Sequence, residues 1–352
     1  MPDAQSLFDA TVELARLWRN AAARCASTSG LTDAMTAFQP AGQLAARFGV
    51  AVGKQETFAL LLDMLAEEGL VERRSGTPRA PAVYRRASGP IAVDLSGQLR
   101  KTTARRGVLA GWMHDSAAER AVTGATAFLG TDLGYLKRDG GQLTFSDRHN
   151  AYWQAHLSNP LYDLGRMLAV RALARPGGRY LDLAGGTGIG ARRLAEFCDG
   201  SCDITIVDKS ADFLRTARTA PYPPGTRAHA VHRDLNEGLP HLPAATFDGA
   251  LCIGAFHYIQ DKAARLREIH RLLRPGAPLV IGNCLSLDGY PDQSLATFTV
   301  SIVDETAHPI PTGELLSLLT DTGFEMDPNT VARGSSVTLT ARKPDTPQLP
   351  HP

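Results

Sequence analysis

The sequence predicts an α/β protein: a parallel sheet covered by helices on both faces, preceded by a mainly helical N-terminal region. Three observations predict it. From residue 178 onward short apolar runs alternate with helical patterns. The first of those runs ends in an acid followed by glycines. Before it, residues 7–23, 43–48 and 57–68 carry apolar side chains at helical spacing.

The N-terminal elements come first. Gly69 ends the third helical pattern, and Leu70 and Val71 then open a basic stretch that turns at residues 75–78 and returns through Val83 and Tyr84. Strand, wing and returning strand after helices are the outline of a winged helix. Its recognition helix, 57–68, presents Phe58, Leu60, Leu61, Leu62, Met64 and Leu65, and its charges are Asp63, Glu67 and Glu68, which would meet phosphate badly. Arg73, Arg74, Arg79, Arg85 and Arg86 read as a solvated hairpin, so assembly rather than nucleic-acid binding is expected. Residues 88–143, with helical stretches at 96–113 and 116–128, read as a connector, and 148–173 as one or two helices interrupted at Asn159 and Pro160, which cap a substrate.

Strands are expected at 179–183, 204–208, 228–232, 247–253, 278–283 and 336–341, with helices at 189–197, 211–217, 261–273 and 313–321. The organisation follows: 1–110 a winged-helix dimerisation domain, 111–175 a helical connector and substrate cap, 176–343 a ligand-binding α/β domain, and 344–352 a disordered tail.

Composition bounds the partners. The 352 residues carry 37 basic and 36 acidic side chains, a net charge of +1, so no global field recruits nucleic acid or an anionic membrane. No apolar run has the length to cross a bilayer. Five scattered cysteines and an N-terminus without a signal-peptide pattern imply a reduced, cytoplasmic protein.

The chemistry concentrates in one stretch. Asp182 lies in the run Tyr180, Leu181, Asp182, Leu183, glycines follow at 185, 186, 188 and 190, and Asp208 closes the next apolar run. An acid at a strand end, a turn that lets a ligand approach the backbone, and a second acid placed to grip a ribose describe a nucleoside pocket. Gly186, Gly188 and Ala191, with an acid about 20 residues on, also satisfy part of a dinucleotide fingerprint. A pyrophosphate beside Asp182 would be repelled, whereas the ammonium of an aminoacyl group would be welcomed. The expected cofactor is therefore S-adenosylmethionine.

With Asp182 and its glycines, Asp208, Asp234 with Leu235, His257, Arg274-Pro275-Gly276 and the 313–324 segment, the chain resembles the class I S-adenosylmethionine-dependent methyltransferases. It is most similar to the small-molecule O-methyltransferases with an N-terminal winged-helix dimerisation domain. The resemblance implies a seven-stranded Rossmann-like sheet whose last strand runs antiparallel, a homodimer, and a small-molecule acceptor. It implies that Asp182, Gly185, Gly186 and Gly188 surround the methionine part and Asp208 the ribose hydroxyls. Asp234 and Leu235 would hold the adenine, and His257 would be the general base.

The sequence departs from that family where Tyr258 and Ile259 follow His257 and where Asn283 stands in place of an acid. Without an acid an imidazole is a weaker base, unless Asp304 or Glu305 approaches it. S-, C- and N-methylation therefore stay open beside O-methylation. Tyr152, Asn159, Tyr162, Tyr258, Asn283, Asp304 and His308 are the candidate substrate residues. No metal is expected, since no carboxylate ligand adjoins His257. A winged-helix regulator that senses a nucleoside, and a protein that binds the same cofactor for non-methylating chemistry, are the alternatives of other classes.

Overall fold

The computed structural model describes residues 25–75, 81–88, 133–137, 144–158, 160–286, 307–327, 331–333 and 336–345, with isolated positions at 19, 22–23, 288, 297 and 300. The helical patterns at 7–23, 96–113 and 116–128 lie wholly or largely outside the described residues, as does most of the 344–352 tail. The chain divides into two compact units, Met1–Thr144 with Pro291–Thr306, and Phe145–Tyr290 with Ala307–Pro352.

In the first unit α1 (Leu31–Ala34), β1 (Gln39–Pro40), α2 (Ala41–Arg47) and α3 (Gln55–Glu67) precede a hairpin of β2 (Val71–Arg74) and β3 (Val83–Arg86). The strands form an antiparallel sheet in the order β1-β3-β2. Helix α3 buries Phe58, Leu61, Leu62 and Leu65, a stripe at helical spacing. It ends where Gly69 enters the left-handed region at φ 71°. There the N–H of Leu70 reaches the Leu65 carbonyl and that of Gly69 reaches Ala66, satisfying carbonyls the helix leaves open.

Arg79 lies outside the described residues, and the other four hairpin arginines are engaged within this unit. Arg73 meets Asp63 at 2.8 Å, Arg85 meets Glu72 at 2.6 Å and Arg86 meets Asp33 at 2.7 Å. The Arg74 guanidinium stands 3.8 Å from the centre of the Phe38 ring.

The second unit opens with α4 (Asn150–Leu157) and α5 (Pro160–Leu173), two helices where the sequence left one or two open, with Pro160 at the first helical position where its missing N–H costs nothing. Then come β4 (Gly178–Leu183), α6 (Ile189–Phe197), β5 (Cys202–Asp208), α7 (Ala211–Thr219), β6 (Arg227–His232), β7 (Gly249–Ile253), α8 (Lys262–Leu272), β8 (Pro278–Leu285), α9 (Thr312–Asp321), β9 (Glu325–Met326), β10 (Val331–Arg333) and β11 (Ser336–Arg342). Strands β6-β5-β4-β7-β8 run parallel, and β11 adds antiparallel to β8. The short strands β9 and β10 both pair with β11, so they share the seventh position of the sheet. The sequence reading missed them because they are too short to show alternation.

Both faces of the sheet's centre are covered, which explains the nearly continuous apolar runs of β4, β7 and β8, whereas the edge strand β6 has no buried residue. Leu181, Leu183, Val207, Ala250, Cys252 and Ile281 join one core with Leu266 and Ile269 of α8. Their neighbours Tyr180, Ile204, Ile206, Leu251 and Val280 join the other, with Ala169, Val170 and Leu173 of α5 and Leu194 of α6. Helix α5 thus belongs to the core of this compact unit, which begins at Phe145. The connections leave β4 for β5 on one side and reach β7 on the other, so a crevice opens beyond the carboxyl ends of these strands.

Candidate cofactor and acceptor site

The turn after β4 is built around two carboxylates. Asp208, at the end of β5, accepts the Gly186 N–H through Oδ2 at 2.8 Å and the Ser210 N–H through Oδ1 at 2.8 Å. Gly188 caps α6 in the left-handed region at φ 79°, where any other residue would be strained. A Cβ at Gly185 would stand 2.7 Å from the Asp182 carboxyl carbon, so only glycine lets the turn close over that side chain.

Asp182 itself is buried beneath the turn and accepts the Ala191 N–H at the start of α6. Burial pushes its carboxyl up to about 7, against the Arg166 guanidinium and the Ala191 N–H, which favour the charged form. Burial likewise raises Asp208, opposed by the N–H groups of Ser210 and Gly186. Among the described residues, Asp182 Oδ2, Thr187 Oγ1 and Tyr222 Oη are buried without a hydrogen-bond partner. Polar atoms left so are costly unless a ligand meets them. Orphaned acceptors and donors beside a glycine turn fit the aminoacyl end of the expected cofactor.

Asp234 caps a 3-10 turn, its Oδ1 accepting the Asn236 N–H at 2.8 Å, and Leu235 beside it is buried. The segment is tied to β5 by the Arg233 N–H, which donates to the Asp208 carbonyl at 2.9 Å. Phe213 of α7 packs toward Gly186. Its ring is 6.0 Å from Phe145, which also meets Trp153 at 4.8 Å and Tyr258 at 5.8 Å. This aromatic cluster stands at the same end of the sheet.

His257 lies in the 3-10 turn Phe256–Tyr258 that follows β7. It is 4% exposed, and its Nδ1 accepts the backbone N–H of Leu285 at 3.2 Å. Burial, and then the Lys262 ammonium, lower the imidazole to about 3. Lys262, also buried, donates to the carbonyls of Ile259 and His308, and the His308 N–H meets the His257 carbonyl at 2.5 Å. His308 is thereby joined to the His257 turn through main-chain atoms.

The other candidates divide. Tyr162 packs its ring on Gly254 at the end of β7, and burial pushes its phenol up to about 12. Asn283 is buried at φ 52° with its side-chain oxygen against Gly165 of α5. Asn159, Asp304 and the side chain of Tyr152 lie outside the described residues. Among the described residues no three His, Cys, Asp or Glu side chains form a metal-binding group. Among them too, no helix is long and apolar enough to cross a membrane.

Sequence reasoning missed Arg166, Lys262, Tyr222 and Phe145. Arg166 carried a legible signal, a charge inside the stripe that continues through Val170 and Leu173 of α5. It is 4% exposed and, among the described residues, its hydrogen-bond partner is Asp163 at 3.4 Å. Lys262 and Tyr222 carry no pattern that separates them from surface residues.

Residues 181–276 match the family model described as a methyltransferase domain. The O-methyltransferase cnsE of Penicillium expansum is 28% identical over 186 residues, 51% of this chain and 65% of that protein. The ubiquinone/menaquinone biosynthesis C-methyltransferase UbiE of Shewanella oneidensis is 31% identical over 109 residues, 31% of this chain and 43% of that protein. The chain thus spans less than two thirds of the length of these curated relatives. A solved structure of the CurJ carbon methyltransferase superposes with a TM-score of 0.67 at 16% identity, covering 97% of this chain and 94% of that one, a likeness of fold. The α/β unit has the Rossmann-like fold of the class I methyltransferases.

Proposed function

We propose that this chain binds S-adenosylmethionine and transfers its methyl group to a small molecule, with a hydroxyl oxygen as the first reading. One observation carries it: each oxygen of the Asp208 carboxylate accepts one backbone N–H and keeps a second lone pair. Two fixed acceptors at the end of β5 match the two donors of a vicinal ribose diol. Asp182, Gly185, Gly186 and Gly188 hold the methionine part, and Asp234 and Leu235 the adenine. The buried Arg166 guanidinium is the matching group for the aminoacyl carboxylate. Bound there, the cofactor supplies an electrophilic methyl on a cationic sulfur.

His257 serves the acceptor side, with Tyr162, Tyr258, Asn283 and His308 as substrate neighbours, while Tyr152, Asn159 and Asp304 stay candidates on the sequence alone. A second reading, methylation of an enolised carbon, is favoured by the occupied Nδ1 of His257. Relatives of both kinds, an O- and a C-methyltransferase, support keeping the two together.

The N-terminal unit is read as a winged helix that pairs two copies of the chain. The engaged hairpin arginines favour assembly over phosphate binding. The five cysteines are free thiols, in keeping with a reducing cytoplasm. Calorimetry with S-adenosylmethionine and S-adenosylhomocysteine tests the core of the proposal: binding of neither overturns it. Release of S-adenosylhomocysteine with hydroxylated acceptors then tests the reaction, and light scattering tests the dimer.

A further inference from the structure

The geometry points to His257 as a hydrogen-bond donor to the acceptor's oxygen rather than a proton acceptor, and hence to an acceptor that is already ionised when the methyl is transferred. This rests on the methyl-transfer reading above. A backbone N–H can only donate, so the Leu285 N–H at 3.2 Å requires the lone pair of the imidazole to be on Nδ1. In a neutral ring the hydrogen is then on Nε2, and among the described residues no group hydrogen-bonds that nitrogen.

The surroundings act in the same sense. Lys262 of α8 brings a positive charge, Tyr258 a ring 4.5 Å away, β8 the Leu285 amide, and the 307–310 segment a main-chain contact through His308. Among the described residues no carboxylate pairs with the ring, so a proton placed on it would be a buried charge beside an ammonium. A ring that resists protonation cannot serve as a base, but its Nε2–H can steady a negative oxygen.

The class of acceptor follows. Methyl transfer breaks the carbon–sulfur bond with its electron pair left on sulfur and forms the new bond from the acceptor's lone pair. The sulfonium and the anion are both discharged, and no proton has to reach a side chain. Such an acceptor ionises on its own near neutral pH, losing its proton to water. Enols of cyclic 1,3-dicarbonyl compounds, whose anion is shared between two oxygens, have this property, whereas an ordinary phenol near pKa ~10 does not. An enolate carries nucleophilic oxygen and carbon at once, which unites the two readings of the product.

Two experiments test the inference. In two-bond proton–nitrogen correlation spectra of the full-length protein with labelled histidine, assigned by comparison with His257→Gln, the His257 Nδ1 is expected at the shift of an unprotonated nitrogen. Its Nε2 is expected protonated, and neither is expected to titrate between about pH 5 and 8. An unprotonated Nε2, or a midpoint in that range, overturns the assignment. This readout is independent of turnover.

Rates are then measured with labelled methyl donor and a series of 1,3-dicarbonyl enols and substituted phenols. The pH midpoint of kcat/KM is expected to move with each acceptor's own pKa, and a midpoint common to all acceptors overturns the inference. His257→Gln, which keeps an N–H near the same place, is expected within about tenfold of the wild type, and His257→Leu about a hundredfold below it. Equal losses in the two variants, with the methyl donor still bound, indicate a base. If the wild type binds no methyl donor, the methyl-transfer reading fails instead, while the nitrogen shifts still report on the ring.

Discussion

The Asp208 carboxylate reaches back across 22 residues to the Gly186 N–H at 2.8 Å, so the residue proposed to hold the ribose also holds the turn that faces the methionine part. Binding and folding are coupled at this point. Asp208→Ala removes the acceptors of two buried N–H groups, and hydrogen bonds to a charged group are worth about 1.5–3 kcal/mol each. The expected result is a loss of about 3–6 kcal/mol in urea unfolding, together with at least tenfold weaker S-adenosylhomocysteine binding. An unchanged affinity would separate Asp208 from the ligand.

Gly185→Ala places a methyl 2.7 Å from the Asp182 carboxyl and 2.8 Å from a methyl of Ile206. Both neighbours are buried, so the backbone has to shift, at a cost of about 1–3 kcal/mol. Cofactor affinity is expected to fall at least tenfold, as measured by calorimetry. Gly42→Ala, in a helix with open space around it, serves as the control and should leave affinity unchanged.

Asp182 makes both stability and binding depend on pH. Its folded carboxyl is pushed up to about 7, above the ordinary 3.8, so the native state takes up a proton that the unfolded chain does not. The stability this contributes is complete below about pH 4 and is lost as the pH rises toward 7, with a slope approaching about 1.4 kcal/mol per pH unit. Asp182→Asn is expected to flatten that slope in urea titrations between pH 4 and 8. A cationic ammonium at the site favours the ionised acid, so wild-type affinity should tighten as pH rises through about 7 and that of the Asn variant should not.

Arg166→Met keeps the length and bulk of the side chain on α5 while deleting the guanidinium. If the group meets the aminoacyl carboxylate, affinity for S-adenosylhomocysteine drops about tenfold, while 5′-methylthioadenosine, which lacks that carboxylate, binds as before. Equal losses for the two ligands would assign Arg166 to the support of Asp182 alone.

The centre of the sheet was legible because β4, β7 and β8 are buried on both faces. Leu279, Val280 and Ile281 are followed by Gly282, and Ala250 to Ile253 by Gly254, at the end where the ligand crevice opens. The boundary at 145 was not legible, since α5 reads as an amphipathic helix whatever it packs on. Only the sheet's second core shows that Ala169, Val170 and Leu173 belong to it. The pieces β9 and β10 are shorter than the period needed to detect them.

The sequence by itself determined the order of the parallel strands and their helices and the positions of Asp182, the glycine turn and Asp208, because each follows from local patterns of apolarity and turn chemistry. It also located His257 after β7. The tertiary structure alone decided what those groups can do. Burial beneath the turn raises the Asp182 carboxyl to about 7, burial and Lys262 lower the His257 imidazole, and the Leu285 amide, 28 residues away, donates to its Nδ1. Charge and tautomer depend on distances between segments far apart in the chain, and those distances exist only once the sheet has closed.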